Sequence, residues 1–210
     1  MTITIYSDFL CPWCYIGHRR LEMALEALAP SAQPQLTWRA DPLSEHESRT
    51  PGRSAAEAMM SWYPSAPEAL DRMDRITQAG RDVGLQIDLA KARPVNTFDA
   101  HRLHKMAAQM DVGPRVREAI FRAYHTEGLN IADHDVLARL ASPAGLSEHA
   151  VRDMLAGNHF ATDILEDWQG AAVEAFTGVP KLVIEGRSAQ SLPHTQAELL
   201  DLLRDASRAQ

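Results

Sequence analysis

The sequence lacks any long apolar run. No stretch of its 210 residues approaches the roughly eighteen continuous apolar residues that a membrane span requires, so no membrane-crossing helix is expected. It also lacks a cationic surplus: 21 Lys and Arg stand against 28 Asp and Glu, for a net charge of -7. That balance argues against a nucleic-acid backbone or an anionic bilayer as partner, since both attract clustered positive charge. The opening residues MTITIYSDFL carry no basic region, apolar core and small-residue cleavage site, so no leader peptide is expected and a cytoplasmic location follows as the expectation. Cysteine is scarcer still. Two residues, Cys11 and Cys14, exclude a disulfide-scaffold fold and leave no third thiol for a structural bridge. What is present in quantity is apolar side chain, 45% of the chain, enough for one core or one core with an inserted subdomain.

Periodicity divides the chain in three. Thr2 to Ser7 alternates, with Ile3 and Ile5 on one side, and predicts a strand. Tyr15 to Leu28 places Ile16, Leu21, Leu25 and Leu28 at helical spacing, with Pro12 suited to a first helical position and Pro30 and Pro34 ending the run. Gln35 to Ala40 alternates again, so the opening is β-α-β and its two strands are expected to run parallel. Residues 42–54 read as loop, and Ala55 to Phe176 as almost wholly helical, with Asn96 a candidate N-cap for a helix over Thr97 to Met110. The charged run Asp71 to Arg75 reads as an exposed helix face. Toward the end come Gly178-Val179-Pro180, an apolar run Leu182 to Ile184, a turn at Gly186 and a brief polar strand near Ser188 to Ser191. An amphipathic helix over Thr195 to Ala206 follows, turning Leu199, Leu200, Leu202 and Leu203 inward. The expected fold is α/β: residues 1–41 and 177–210 join into one domain (β-α-β … β-β-α), and residues 42–176 form a large all-helical insertion above its sheet.

The chemistry sits on Cys11-Pro12-Trp13-Cys14, placed where a strand turns into a helix. Cysteines three apart lie one helical turn apart, close enough to join. The first is at the helix N-terminus, where unpaired N–H groups and the positive end of the dipole favour a thiolate, the form that attacks disulfides. The second, inside the helix, suits the resolving role, releasing product from a mixed disulfide on Cys11. Pro12 and Trp13 shape the loop. A zinc site would need further ligands; no second cysteine pair exists, and His101 and His104 lie in the helical part on a face read as solvated, so no metal is expected. A plain pair of packed cysteines is the other alternative. Gly178-Val179-Pro180 opens a strand with a proline, a place for either a cis or an ordinary trans peptide bond; a cis bond there would present the Val179 backbone to an extended substrate.

Residues 7–17, Ser-Asp-Phe-Leu-Cys-Pro-Trp-Cys-Tyr-Ile-Gly, resemble the active-site segment of the DsbA-like thioredoxin superfamily, and within it the FrnE-like cytoplasmic branch. Asn96-Thr-Phe-Asp-Ala-His-Arg-Leu103, Phe121-Arg-Ala-Tyr124, Glu127-Gly-Leu-Asn-Ile131 and Gly178-Val-Pro180 resemble further segments of that branch, in order along nearly the whole chain. The resemblance implies a thioredoxin-like fold, with Cys11 as nucleophile, Cys14 as resolving thiol, Val179-Pro180 as a cis-proline platform for substrate, and an insert that shapes the substrate groove. Two departures, Lys181 after the proline and Leu192-Pro193-His194 before the last helix, are expected near the substrate face. Related kappa-class glutathione transferases and hydroxychromene-carboxylate isomerases typically replace the first cysteine with serine; both cysteines are intact here, and Asn96 matches a pocket residue of those relatives. The expected activity is therefore thiol–disulfide exchange on protein or small-molecule disulfides. No bound organic cofactor is expected; glutathione is a candidate co-substrate, and a homodimer is the default assembly. Of the remaining residues, Asp8 reads as a turn residue bonding its own backbone, His18 as solvated, Trp13 as part-exposed, and Trp38, Trp62 and Trp168 as packing.

Overall fold

Alternation at the two ends of the chain closes into one sheet. The computed structural model describes residues 2–43, 46–174, 178–185, 187 and 189–208. In chain order the elements are β1 (Thr2–Ser7), α1 (Pro12–Glu26), β2 (Gln35–Ala40), α2 (Ala55–Trp62), α3 (Ala66–Arg81), α4 (Phe98–Gln109), α5 (Gly113–Arg122), α6 (His134–Ala141), α7 (Glu148–Ala156), α8 (Ala161–Val173), β3 (Lys181–Ile184), β4 (Gln190–Ser191) and α9 (Gln196–Arg208). The sheet order is β2-β1-β3-β4; β1 runs parallel to β2 and antiparallel to β3. The expected turn at Gly186 and the start of the polar strand at Ser188 lie outside the described residues.

One face of the sheet carries Ile3, Ile5, Leu182 and Ile184, which pack with Leu21 and Ala24 of α1 and Leu199 and Leu203 of α9. The other face is covered too. Helix α8 lies against β2, and its Asp167 accepts the N–H of Ala40 at 3.0 Å while pairing with Lys105 at 2.6 Å. This second cover explains why β1 stops alternating: Tyr6, on the opposite face from Ile5, is only 4% exposed. It also corrects the expectation for Lys181. Lys181 is the cross-strand partner of Tyr6, is 2% exposed, and donates through Nζ to the carbonyl of Ala171 in α8 at 2.7 Å, with Asp41 at 3.5 Å. It lies beneath the sheet, not on the substrate face.

The helical insert has its own apolar interior, built on Leu103, Val116, Ile120, Phe121, Ile131, Leu137 and Val151. The same cluster includes Phe9, Cys11, Cys14, Tyr15 and Ile16, so the start of α1 is packed into the insert rather than laid beside it. Its polar centre is Asp99. That carboxylate takes Arg102 at 2.7 Å, Arg49 at 2.6 Å and His134 at 2.8 Å. Arg102, 4% exposed, also donates to the carbonyls of Met154 (2.7 Å), Gly157 (2.5 Å) and His159 (2.8 Å), closing the C-terminal end of α7 with a guanidinium from α4. His101 and His104, expected on a solvated face of this helix, are instead buried, because α4 is surrounded by α5, α6, α7 and α8. Trp62, expected to pack, is 64% exposed at the end of α2.

Arg102→Ala takes from Asp99 one of its three partners and leaves several carbonyls without their guanidinium donor, and is expected to cost about 3–5 kcal/mol of unfolding free energy in urea titration. Arg102→Lys should recover less than half of this, because a point charge cannot replace the planar fork. An Arg102→Ala protein within about 1 kcal/mol of the parent would contradict this reading of the insert.

Candidate active site

Cys11 is the N-cap of α1. Its backbone is extended (φ -79°, ψ 112°), its Sγ accepts the N–H of Cys14 at 3.3 Å, and Pro12 occupies the first helical turn, where a missing N–H costs nothing. A sulfur thus fills the role usually taken by a Ser or Asp oxygen. The first turn of α1 contains no acidic residue, so no side chain of that turn opposes negative charge at the helix N-terminus. Val179 lies across from it: the Cys11 thiol donates to the Val179 carbonyl at 3.7 Å, and the Val179–Pro180 peptide bond is cis. Cys14 lies deeper, 1% exposed against 6% for Cys11, and both thiols are free. Burial pushes the Cys14 thiol well up, and the hydrogen bond to Cys11 and the charge of Cys11 push it in the same direction. The two sulfurs are therefore unequal in access, and burial holds the proton on Cys14.

The loop before Cys11 is fixed by Asp8, which is fully buried. Its Oδ1 accepts from the N–H of Leu10 at 2.6 Å, the local turn bond the sequence predicts. Its Oδ2 does more, accepting from the N–H of Leu43 at 2.9 Å and the hydroxyl of Thr97 at 3.0 Å, with His101 Nε2 at 3.7 Å. One carboxylate thus ties the end of β1 to the loop after β2 and to the start of α4. Asn96 stands beside this junction, its Oδ1 accepting from the N–H of Phe98 at 2.9 Å, while Thr97 occupies the N-cap position of α4. Asn96 lines neither of the cavities next to Cys11.

Two cavities flank the Cys-Pro-Trp-Cys turn. On the Pro12 side a notch of about 190 Å³ is lined by Leu10, Cys11, Pro12, Met59, Trp62 and Leu89, among others, and is mostly apolar. On the Trp13 side a cleft of about 360 Å³ runs past Val179 and Pro180 to Leu192, Pro193 and His194. Gly17, on the wall of this cleft, lets the Leu192 side chain come close, since a Cβ there would collide with its methyl group. The Trp13 indole is held from both sides, with the Arg72 guanidinium 4.9 Å from its ring centre and the His194 ring edge-on at 6.4 Å. Arg72 and Arg75, part of a run expected simply to face solvent, line the cleft. The sequence reading missed them. Their i, i+3 spacing puts both on one helix face, but which face meets Trp13 depends on how α3 packs on α1.

Behind the turn lies a stack of buried rings. Tyr15 stacks on Phe121 with centroids 5.0 Å apart, and His18 and His125 flank Phe121. His18, expected to be solvated, is 1% exposed; it sits 3.2 Å from Glu22 and edge-on to Trp38. Candidate ligand atoms of His18, Glu22 and Glu118 fall within 4.8 Å of one another, the one such trio among the described residues. Arg19 lies across both carboxylates (3.4 Å and 3.0 Å) and the Tyr15 hydroxyl donates to Glu118 at 2.8 Å, so the donor set is already neutralised as an ion-pair network.

A strand-to-helix dithiol turn facing a proline-opened strand, in a sheet carrying a helical insert, defines a class, and comparison with known proteins gives the same class. The family model of the DSBA-like thioredoxin domain matches residues 2–205, and the chain belongs to that family. The structure of a probable DsbA oxidoreductase, SCO1869 of Streptomyces coelicolor, superposes with a TM-score of 0.91 at 25% identity, covering 100% of this chain and 91% of that one. The cytosolic disulfide reductase DsbM of Pseudomonas aeruginosa, also solved with GSH, shares the fold at TM-score 0.69 and 19% identity, covering 100% of both chains. A 2-hydroxychromene-2-carboxylate isomerase shares it at TM-score 0.73 and 17% identity, over 100% of this chain and 96% of that one.

Burial lowers the pKa of His18 to about 4 and of His125 to about 3, and pushes His104 well down as well. In the unfolded chain these groups titrate near 6.5, so below that pH the unfolded state binds more protons than the folded one. Their stabilising contribution is complete above about pH 6.5 and is lost as the pH falls toward 4, by up to ~1.4 kcal/mol per pH unit per group. Urea unfolding is expected to give a free energy about 3 kcal/mol lower at pH 5 than at pH 7. Equal stability at the two pH values would contradict the neutral, buried state of these rings.

Proposed function

We propose that the protein is a dithiol–disulfide oxidoreductase acting on disulfides of protein or small-molecule substrates. The observation that carries this is the placement of Cys11: helix N-cap, sulfur accepting an N–H, and 3.7 Å from the carbonyl of Val179, a residue that lines an open cleft. In the reducing direction the Cys11 thiolate attacks one sulfur of the substrate disulfide, breaking that bond and expelling the other sulfur as a thiolate. Forming the mixed disulfide removes the negative charge on Cys11, one of the influences that holds the Cys14 proton in place. Cys14 then loses its proton and attacks Cys11, releasing the second substrate thiol. Two electrons pass to the substrate and Cys11–Cys14 is left as a disulfide. The reverse sequence oxidises a substrate dithiol.

The edge at Val179 and Pro180 is the natural place for an extended substrate segment, with Pro12 and Trp13 bounding it on either side. Reduced glutathione is the proposed source of electrons as a co-substrate, with no resident cofactor. A cytoplasmic location accords with the cytosolic relative of the same fold; no helix of the described residues is long and apolar enough to cross a membrane. The FrnE-like branch is the proposed placement within the family. The rival activity, a glutathione-dependent transferase or isomerase, uses one thiol or none and does not need Cys14.

Single variants separate the two. Cys11→Ser is expected to abolish exchange with a dithiol or disulfide substrate. Cys14→Ala should accumulate a mixed disulfide on Cys11, visible by intact-protein mass. A Cys14→Ala enzyme that turns over at the parent rate with no trapped adduct would contradict the two-thiol mechanism.

A further inference from the structure

The cleft beside Trp13 is charged against the trend of the molecule. The chain carries a net charge of -7, yet among the described residues the ionisable ones lining this cleft are Arg20, Arg72, Arg75 and His194, with no carboxylate. Arg75 is paired with Asp71 at 2.5 Å, one turn back on α3. Asp82 and Glu198 act on Arg20 only through space, from outside the lining. Among the described residues no carboxylate is in ion-pair contact with Arg20 or Arg72. The two arginines come from different elements: Arg20 from α1, two turns beyond Cys11, and Arg72 from α3 of the insert. Arg72 is positioned by its contact with Trp13, inside the Cys-Pro-Trp-Cys turn itself. The cavity on the Pro12 side is mostly apolar, and among the described residues its one charged lining residue is Glu47. The two flanks of the reactive sulfur therefore differ in polarity.

Resting on the oxidoreductase reading above, we infer that the Trp13-side cleft is a carboxylate subsite, and that Arg20 and Arg72 select disulfides bearing acidic groups on the segment lying along Val179 and Pro180. Two arginines lining one cleft, with no acidic residue among its described lining residues, offer guanidinium donors to an anion, and a carboxylate entering the cleft gains charge-assisted hydrogen bonds from them. Arginine suits this task better than lysine because its fork also stacks on the indole. An acidic protein segment and the carboxylates of glutathione present the same chemistry to these residues.

The test compares exchange rates for peptide disulfides of one length in which the residues flanking the cysteine are Glu, Gln or Lys. Glutathione disulfide and its carboxylate-esterified form are run alongside, each at low and high salt. The parent enzyme is expected to favour the Glu over the Lys peptide by about tenfold or more in kcat/KM, with the ratio shrinking as salt rises. In Arg20→Gln/Arg72→Gln the ratio should fall to about twofold, while Arg72→Lys, which keeps the charge but not the stack on Trp13, should fall between the parent and the double variant. A larger loss on esterifying glutathione than on replacing Glu by Gln assigns the subsite to glutathione; the reverse assigns it to an acidic protein segment. Glu, Gln and Lys peptides exchanging within about twofold of one another in the parent, or a ratio unchanged in the double variant, would overturn the inference and leave the oxidoreductase reading standing. Absence of Cys11-dependent exchange with every substrate would instead overturn that reading.

Discussion

The buried carboxylate of Asp8 is the constraint from which the site follows. It sits between the end of β1 and the nucleophilic turn, and it accepts from Leu10, Leu43 and Thr97, three donors on three separate segments. Each charge-assisted bond in so dry a place is worth ~1.5–3 kcal/mol, and any donor left unpaired there would cost about as much. The loop before Cys11 is therefore not free to choose its own path. Its conformation is decided jointly by the sheet, the loop after β2 and the first turn of α4. That is how a local strand-to-helix turn becomes coupled to a helix of the insert more than eighty residues away in sequence.

Given that anchor, the inequality of the two thiols needs no further device. Cys11 is placed where the helix begins and water reaches; Cys14, one turn on, is sealed by the ring stack of Tyr15 and Phe121 and by the insert's apolar core. Burial and the neighbouring sulfur both hold the Cys14 proton in place until Cys11 is engaged. The same dry packing keeps His18 and His125 neutral, so the region behind the dithiol carries no titrating cation at neutral pH from these rings. Polarity is instead spent at the rim, where Arg72 and His194 grip Trp13.

Features encoded by neighbours in sequence were legible before the structure. The alternation of Ile3 and Ile5, Pro12 at a helix start, and the dithiol spacing each depend on a few adjacent residues, and β1, α1 and the capping position of Cys11 follow from them. The helix α1 begins at Pro12, three residues before the apolar periodicity does, because the proline and the sulfur cap start it. Features that depend on which face the insert covers were not legible. His18 lies on α1 at helical spacing from Cys11 and could equally face water; Phe121 of α5 and Trp38 of β2 cover it. Lys181 is turned under the sheet because its register partner is Tyr6 and α8 supplies a carbonyl there. Trp62 stays exposed at the edge of the apolar notch, where composition alone placed it in a core. Arg72 passed as one charge in a solvated run because its meaning lies in a contact with Trp13, about sixty residues away in sequence.

The central claim is that Cys11 and Cys14 act as one two-electron pair. Equilibrating the protein in graded glutathione buffers, with free thiols counted by alkylation and mass, tests it most directly. The account predicts a single reversible transition from two free thiols to none, with the Cys11–Cys14 disulfide as the oxidised product. A protein that forms only a glutathione adduct on Cys11, with no intramolecular disulfide at any ratio of reduced to oxidised glutathione, would contradict it.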